Sequence, residues 1–144
     1  MRALRIMMAL PVIGLALVAA PASAAPAVAS PFHAALSATE ESPPGPTDGT
    51  GTAKVTIDAA ASQLCYDLDW SPQVGTPNAA HIHKGAAGTS GPIVVVLSPT
   101  TAHTCTTASG PVLQGIATDP SGYYVNVHST EYMNGAVRGQ LQAG

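Results

Sequence analysis

Two imidazoles stand at i and i+2 in His81-Ile82-His83, and a third closes Tyr124-Val125-Asn126-Val127-His128. On a strand, side chains two apart leave the same face about 6.5–7 Å from each other, close enough to share one metal ion. With Val125 and Val127 directed to a core, Tyr124, Asn126 and His128 share the opposite face. Three imidazoles, two of them on one strand, suit copper or zinc. Polar alternation also yields His-x-His by chance, and rings that hydrogen-bond a loop or simply meet solvent are the commoner case. His33, near the start of the first candidate strand, and His103, in a polar stretch beside Cys105, are expected to be solvated.

Other constellations carry less. Gly85, Gly88 and Gly91 precede Pro92 at three-residue spacing, which fits a tight turn between strands with positive φ. A phosphate loop would need a helix start with Lys and Ser or Thr, and none follows. No Gly-x-Ser-x-Gly elbow is present. Asp67 and Asp69 share a strand face, but nothing in the pattern buries them as an acid–base pair.

The elements that must position these residues come from a chain of 144 residues with only 9% charged side chains, 46% hydrophobic and 4% aromatic. A typical globular domain carries about 25% charged residues. Five basic residues at a net charge of −3 cannot form a phosphate-binding face, so nucleic acid is excluded as a partner. A charge-driven disordered chain and a helical bundle are disfavoured for the same scarcity. With 14 Gly and 13 Pro, the composition favours one small, turn-rich β domain.

Residues 1–24 have the layout of a secretory signal peptide. Arg2 and Arg5 precede an apolar stretch from Ile6 to Ala20, and Ala22-Ser23-Ala24 supplies small residues before a cleavage point at Ala25. The stretch is shorter than the ~20 residues needed to span a bilayer. The expected product is an exported, extracytoplasmic protein with no membrane segment after cleavage. It would carry three basic residues (Lys54, Lys84 and Arg138) against eight acidic ones, a net charge of −5. Arg138 is then the sole arginine, and it suits either a clamp on Asp or Glu or an anion contact beside the histidines. In an oxidising compartment Cys65 and Cys105 are expected to pair as a disulfide, with free thiols or soft-metal ligands the minority reading.

The remainder reads as short strands between turns. A flexible leader over 25–31 gives way to a candidate strand from Phe32 to Leu36, then a Pro/Gly-rich loop from Glu40 to Gly51. Thr52–Ile57 and Gln63–Trp70 alternate with period two, and Ala79–Lys84 is a short strand carrying His81 and His83. The run Pro92–Leu97 suits a strand buried on both faces. Ser98–Ser109 reads as a loop, and the region near 111–118 fits either a short helix or a strand. Tyr123–His128 and Ala136–Leu141 complete the set. The expected fold is all-β: an antiparallel, Greek-key-like sandwich or barrel of about seven to eight short strands.

Several ordered motifs, taken together, resemble the CHRD domain. They are Ala80-His81-Ile82-His83-Lys84-Gly85, Gly91-Pro92-Ile93-Val94-Val95, Tyr123-Tyr124-Val125-Asn126-Val127-His128 and Asn134-Gly135-Ala136-Val137-Arg138-Gly139-Gln140-Leu141. Glu41-Ser42-Pro43-Pro44 is similar to the family's early Glu-x-Pro-Pro element. The resemblance covers residues 32–142. It implies an extracellular β-rich module, a type named for chordin and found alone in exported bacterial proteins, whose partner could be a protein, a glycan or a metal.

The order His-x-His, Gly-rich turn, late-strand His and Gly-x-x-Arg is also distantly similar to Cu/Zn superoxide dismutase. On that resemblance His81, His83 and His128 match copper ligands, and Arg138 matches the arginine that guides the anionic substrate. Gly91-Pro92-Ile93 departs from that family's Gly-Pro-His, which supplies the bridging ligand, and no His-rich zinc loop follows. The expectation is a secreted, non-catalytic binding or structural module with a three-His face. A copper-dependent redox enzyme is the alternative.

Overall fold

The structure is a computed structural model that describes residues 31–144. The expected signal peptide and nearly all of the expected leader lie outside the described residues. Nine strands form one antiparallel sheet: β1 (Phe32–Ser37), β2 (Thr50–Asp58), β3 (Gln63–Trp70), β4 (Pro77–Lys84), β5 (Ile93–Leu97), β6 (Thr104–Thr107), β7 (Tyr123–Ser129), β8 (Val137–Gln140) and β9 (Gln142–Ala143). The path across the sheet is β5-β4-β7-β8-β1-β2-β3-β6, with β9 paired to β1. Residues far apart along that path meet in one core: Leu64 and Tyr66 of β3 join Ile82 of β4 and Val95 of β5. The sheet therefore curls into a nearly closed barrel. Tyr66, one strand in from the β6 end, reaches the other end, its hydroxyl accepting from Ser98 N at 2.7 Å just beyond β5.

Period-two alternation produces this core. Ala53, Val55 and Ile57 point inward from β2, and Leu64, Tyr66 and Leu68 from β3, all nearly inaccessible to water. Burying each Val, Ile or Leu of this set stabilises a fold by roughly 1.5–3 kcal/mol. The ambiguous region resolves as a helix, α1 (Gly110–Thr118), with Pro111 in its first turn and Leu113 and Ile116 buried in the core. Among the described residues no helix is long and apolar enough to cross a membrane.

Three local expectations change. The sheet is a single curled layer with its core on one side, so the β5 run is not buried on both faces: Val95 and Leu97 are covered, whereas Val96 on the outer face is 65% exposed and Ile93, at the strand's start, 50%. The Ser98–Ser109 stretch is not all loop, because Thr104–Thr107 pairs with β3 as the other edge strand. In the glycine turn only Gly88 has positive φ, at +74°. Gly91 is required for a different reason, since a Cβ there would lie 1.8 Å from the Lys84 carbonyl oxygen.

Gly139 shows how tightly the sheet is closed at β8. A Cβ at this position would sit 2.0 Å from the Ala35 carbonyl oxygen of β1. Neither backbone can yield without breaking the β1–β8 junction. Gly139→Ala is expected to destabilise the protein by about 3 kcal/mol, the upper range for overpacking. Urea unfolding would report this as a lower midpoint with an unchanged slope. An unchanged midpoint would mean that the junction is looser than the structure has it.

Candidate functional site

The outer face of β4, β7 and β8 carries the chemistry. Register pairs His83 with Tyr124, His81 with Asn126 and Ala79 with His128 across β4 and β7. It then pairs Asn126 with Arg138 and Tyr124 with Gln140 across β7 and β8. Alternation turns Ala80, Ile82, Val125 and Val127 into the core, so the polar residues between them share the opposite face. That face is covered as well: Tyr124, Asn126 and Arg138 are each at most 5% exposed.

The three predicted histidines converge. One ring nitrogen from each lies within 4.8 Å of the others. His81 Nδ1 and His128 Nε2 are 3.3 Å apart. Two nitrogens bound at about 2.0–2.1 Å to one tetrahedral ion are ~3.3 Å apart, so this pair already has the separation such an ion requires. The outer nitrogens are fixed by the backbone. His83 Nδ1–H donates to the Gly91 carbonyl at 2.8 Å, and His128 Nδ1–H donates to the Met133 carbonyl at 2.9 Å. Each bond selects the tautomer whose Nε2 carries a lone pair, the arrangement that commonly orients metal-binding imidazoles.

Asn126 sits between two of these nitrogens. Its Nδ2 donates to His128 Nε2 at 2.8 Å, and its Oδ1 faces His83 Nε2 at 3.1 Å. An amide has one donor end and one acceptor end. It satisfies the lone pair of His128, a bond that an ion at this nitrogen would replace, and opposes that of a neutral His83. A cation between the rings, proton or metal, relieves this opposition. Burial lowers the pKa of His81 below its ordinary 6.5, and the neighbouring His128 and His83 add to the effect against Asn126. Burial also lowers that of His128, against the bond to Met133 and with help from His83. Both rings are therefore neutral near pH 7, the form that binds a metal. Asn78, Ala79, His81, His128 and Met133 line a shallow pocket of about 250 Å³ that gives access from solvent.

Arg138 lies behind the histidines. Its Nε donates to the Glu40 carbonyl and its Nη1 to the Thr89 carbonyl at 3.1 Å. Glu41 Oε2 is 3.9 Å from Nε, and both side chains are almost fully buried. The guanidinium lies 5.0 Å from the centroid of the Tyr124 ring, which in turn stacks on His83 at 4.8 Å with an interplanar angle of 4°. Arg138 thus lies beside an acidic side chain, as the first of the two expected roles asks, but its hydrogen bonds go to backbone carbonyls.

Sequence reasoning placed Asn126 on this face without giving it a role, and it missed Glu41 altogether. Glu41 is 6% exposed and its Oε1 has no hydrogen-bond partner. The available signal was its place in the Glu-x-Pro-Pro element; its contact with Arg138 spans almost the whole domain. Of the remaining histidines, His33 is exposed, whereas His103, also exposed, pairs with Asp67 at 3.1 Å. Cys65 and Cys105 form the expected disulfide across β3 and β6.

This is an all-β domain of barrel-like closure with a histidine cluster on its outer face. The model of the CHRD domain matches residues 32–141, and the chain belongs to that family. Comparison with curated proteins and with solved structures gives no match.

Burial pushes Glu41 up from 4.5 to about 7, outweighing the opposing effects of Arg138 and Asn126. A carboxyl with a raised folded pKa stabilises the fold in its neutral form, and that contribution is lost as pH rises from the unfolded value towards the folded one. Relative to Glu41→Gln, the natural protein should lose stability between about pH 4.5 and pH 7 and differ by a constant amount above that. Urea unfolding of both proteins across this range checks it. A difference independent of pH would show that the carboxyl is not held neutral. The two histidines act with the opposite sign in both proteins, since their lowered pKa values remove stability as pH falls below 6.5.

Proposed function

We propose that this CHRD domain is a secreted, non-catalytic module that binds one copper or zinc ion through His81, His83 and His128. The reading is carried by the 3.3 Å separation of His81 Nδ1 and His128 Nε2, together with backbone bonds that fix His83 and His128 as Nδ1–H tautomers. The lone-pair opposition at His83 Nε2 supports it, because a cation there satisfies both the ring and the Asn126 amide. Export is supported by the layout of residues 1–24 and by the disulfide.

Within this reading Arg138 positions the site. It holds Tyr124 beneath His83, and its Nε and Nη1 are committed to carbonyl groups. The dismutase-like alternative asks for a bridging histidine where Ile93 stands, half exposed on an edge strand. The favoured role is therefore binding without turnover.

Calorimetric titration of residues 25–144 with Zn(II), and with Cu(II), should give one ion per chain. His81→Ala and His128→Ala should each weaken binding by at least tenfold. Affinity should persist to below pH 6.5 and fall on further acidification, since protons compete for rings with lowered pKa values. One-to-one binding that survives in both variants would remove the shared site. Superoxide turnover by the copper-loaded protein would replace the non-catalytic reading with the redox one.

A further inference from the structure

A second group of ligands lies on a different part of the barrel. Strands β3 and β6 place Cys65 directly opposite Cys105 and Tyr66 opposite Thr104. One step further, Asp67 meets His103, its two carboxylate oxygens lying 3.1 and 3.2 Å from His103 Nδ1. Since side chains two apart share a face, Cys65, Asp67, His103 and Cys105 form a two-by-two cluster on the outside of the sheet. A ring nitrogen of His103 and both sulfurs lie within 4.8 Å of one another.

We propose that Cys65, Cys105 and His103 form a zinc site that is closed by the disulfide and opened by its reduction. An external dithiol delivers two electrons and two protons to the S–S bond, giving two thiols and leaving the reductant as its own disulfide. Zn(II) then displaces both thiol protons and is held by two thiolates and His103 Nε2, with water in the fourth position. Oxidation reverses the sequence: a disulfide oxidant takes up the two electrons, Cys65 and Cys105 rejoin, and the zinc leaves.

The geometry supports each part. Asp67 accepts the Nδ1–H bond of His103, which leaves Nε2 as the lone-pair nitrogen and orients the ring, as carboxylates do behind zinc-bound histidines. Two thiolates at about 2.3 Å from a tetrahedral zinc are ~3.7 Å apart. On reduction the sulfurs of Cys65 and Cys105 are free to part to this separation. Rotation about the Cα–Cβ bonds provides this, and β6 is a four-residue edge strand paired to β3 alone. The His103 and Asp67 side chains are 61% and 50% exposed, so an ion reaches the site without any opening of the barrel. An exposed His–Asp pair contributes little to the fold, so stability alone is a weak reason for its place beside the sulfurs. Thiolate ligands favour zinc over magnesium or calcium, which take oxygen.

The test uses residues 25–144 reduced with a phosphine, with Co(II) as the spectroscopic stand-in for zinc. Sulfur-to-cobalt charge-transfer absorption reports thiolate ligation and is blind to an ion held by the histidine triad. The reduced protein should bind one cobalt with this absorption, zinc should displace it, and the oxidised protein should show none. His103→Ala should weaken cobalt binding at least tenfold, and oxidised glutathione should expel the bound zinc. Absence of thiolate absorption in the reduced protein, or equal affinity in His103→Ala, overturns the proposal. Should reduction unfold the chain, saturating zinc is expected to restore its β-sheet circular dichroism; a spectrum that stays unfolded also overturns it.

Discussion

One guanidinium is enclosed in the outer layer of the sheet, and much of the surrounding structure satisfies it. Arg138 takes a carbonyl from Glu40, a carbonyl from Thr89, the carboxyl of Glu41 and the face of Tyr124. Those partners come from the loop after β1, the turn between β4 and β5, and strand β7. A charge this deep is tolerated only when it is paired and hydrogen-bonded. Its satisfaction therefore draws two loops down onto the sheet. The turn held at Thr89 also brings the Gly91 carbonyl to His83, which sets that ring's tautomer.

The histidine cluster is thus the exposed end of a continuous polar layer. Glu41, Arg138, Tyr124, His83, Asn126, His128 and His81 follow one another by ion pair, stacking and hydrogen bond. Beneath them runs the apolar layer of Ala80, Ile82, Val125 and Val127. A barrel of this size offers rigid strands on which rings can be held to a few tenths of an ångström, and loops alone would not give that precision.

Much of this was legible in the sequence because period two fixes which side chains share a face. The alternation in Gln63–Trp70 and Tyr124–His128 placed core and outer residues correctly, and it put Asn126 beside His128. Two elements escaped for physical reasons. Thr104-Cys105-Thr106-Thr107 has the β-branched shape of a strand but none of its hydrophobicity, because an edge strand facing solvent buries little. The run Ile93–Leu97 has hydrophobicity on both faces, yet the sheet is one layer with its core on one side, which leaves Val96 exposed on the other. Strand order depends on pairings distant along the chain, which local pattern does not encode. The same limit hid Glu41, whose partner is supplied by β8.

Turning Arg138 inward has an effect far from the site. Among the described residues it leaves Lys54 and Lys84 as the outward cations, outnumbered by the unburied acids Glu40, Asp48, Asp58, Asp67, Asp69, Asp119 and Glu131. The exterior is thus predominantly negative, although the polar layer within holds a cation. Dissolved dications are drawn towards such a surface and polyanions repelled, over a range set by the Debye length of about 8 Å at physiological salt. Capture of an ion by this protein should accordingly be faster in dilute buffer than in brine.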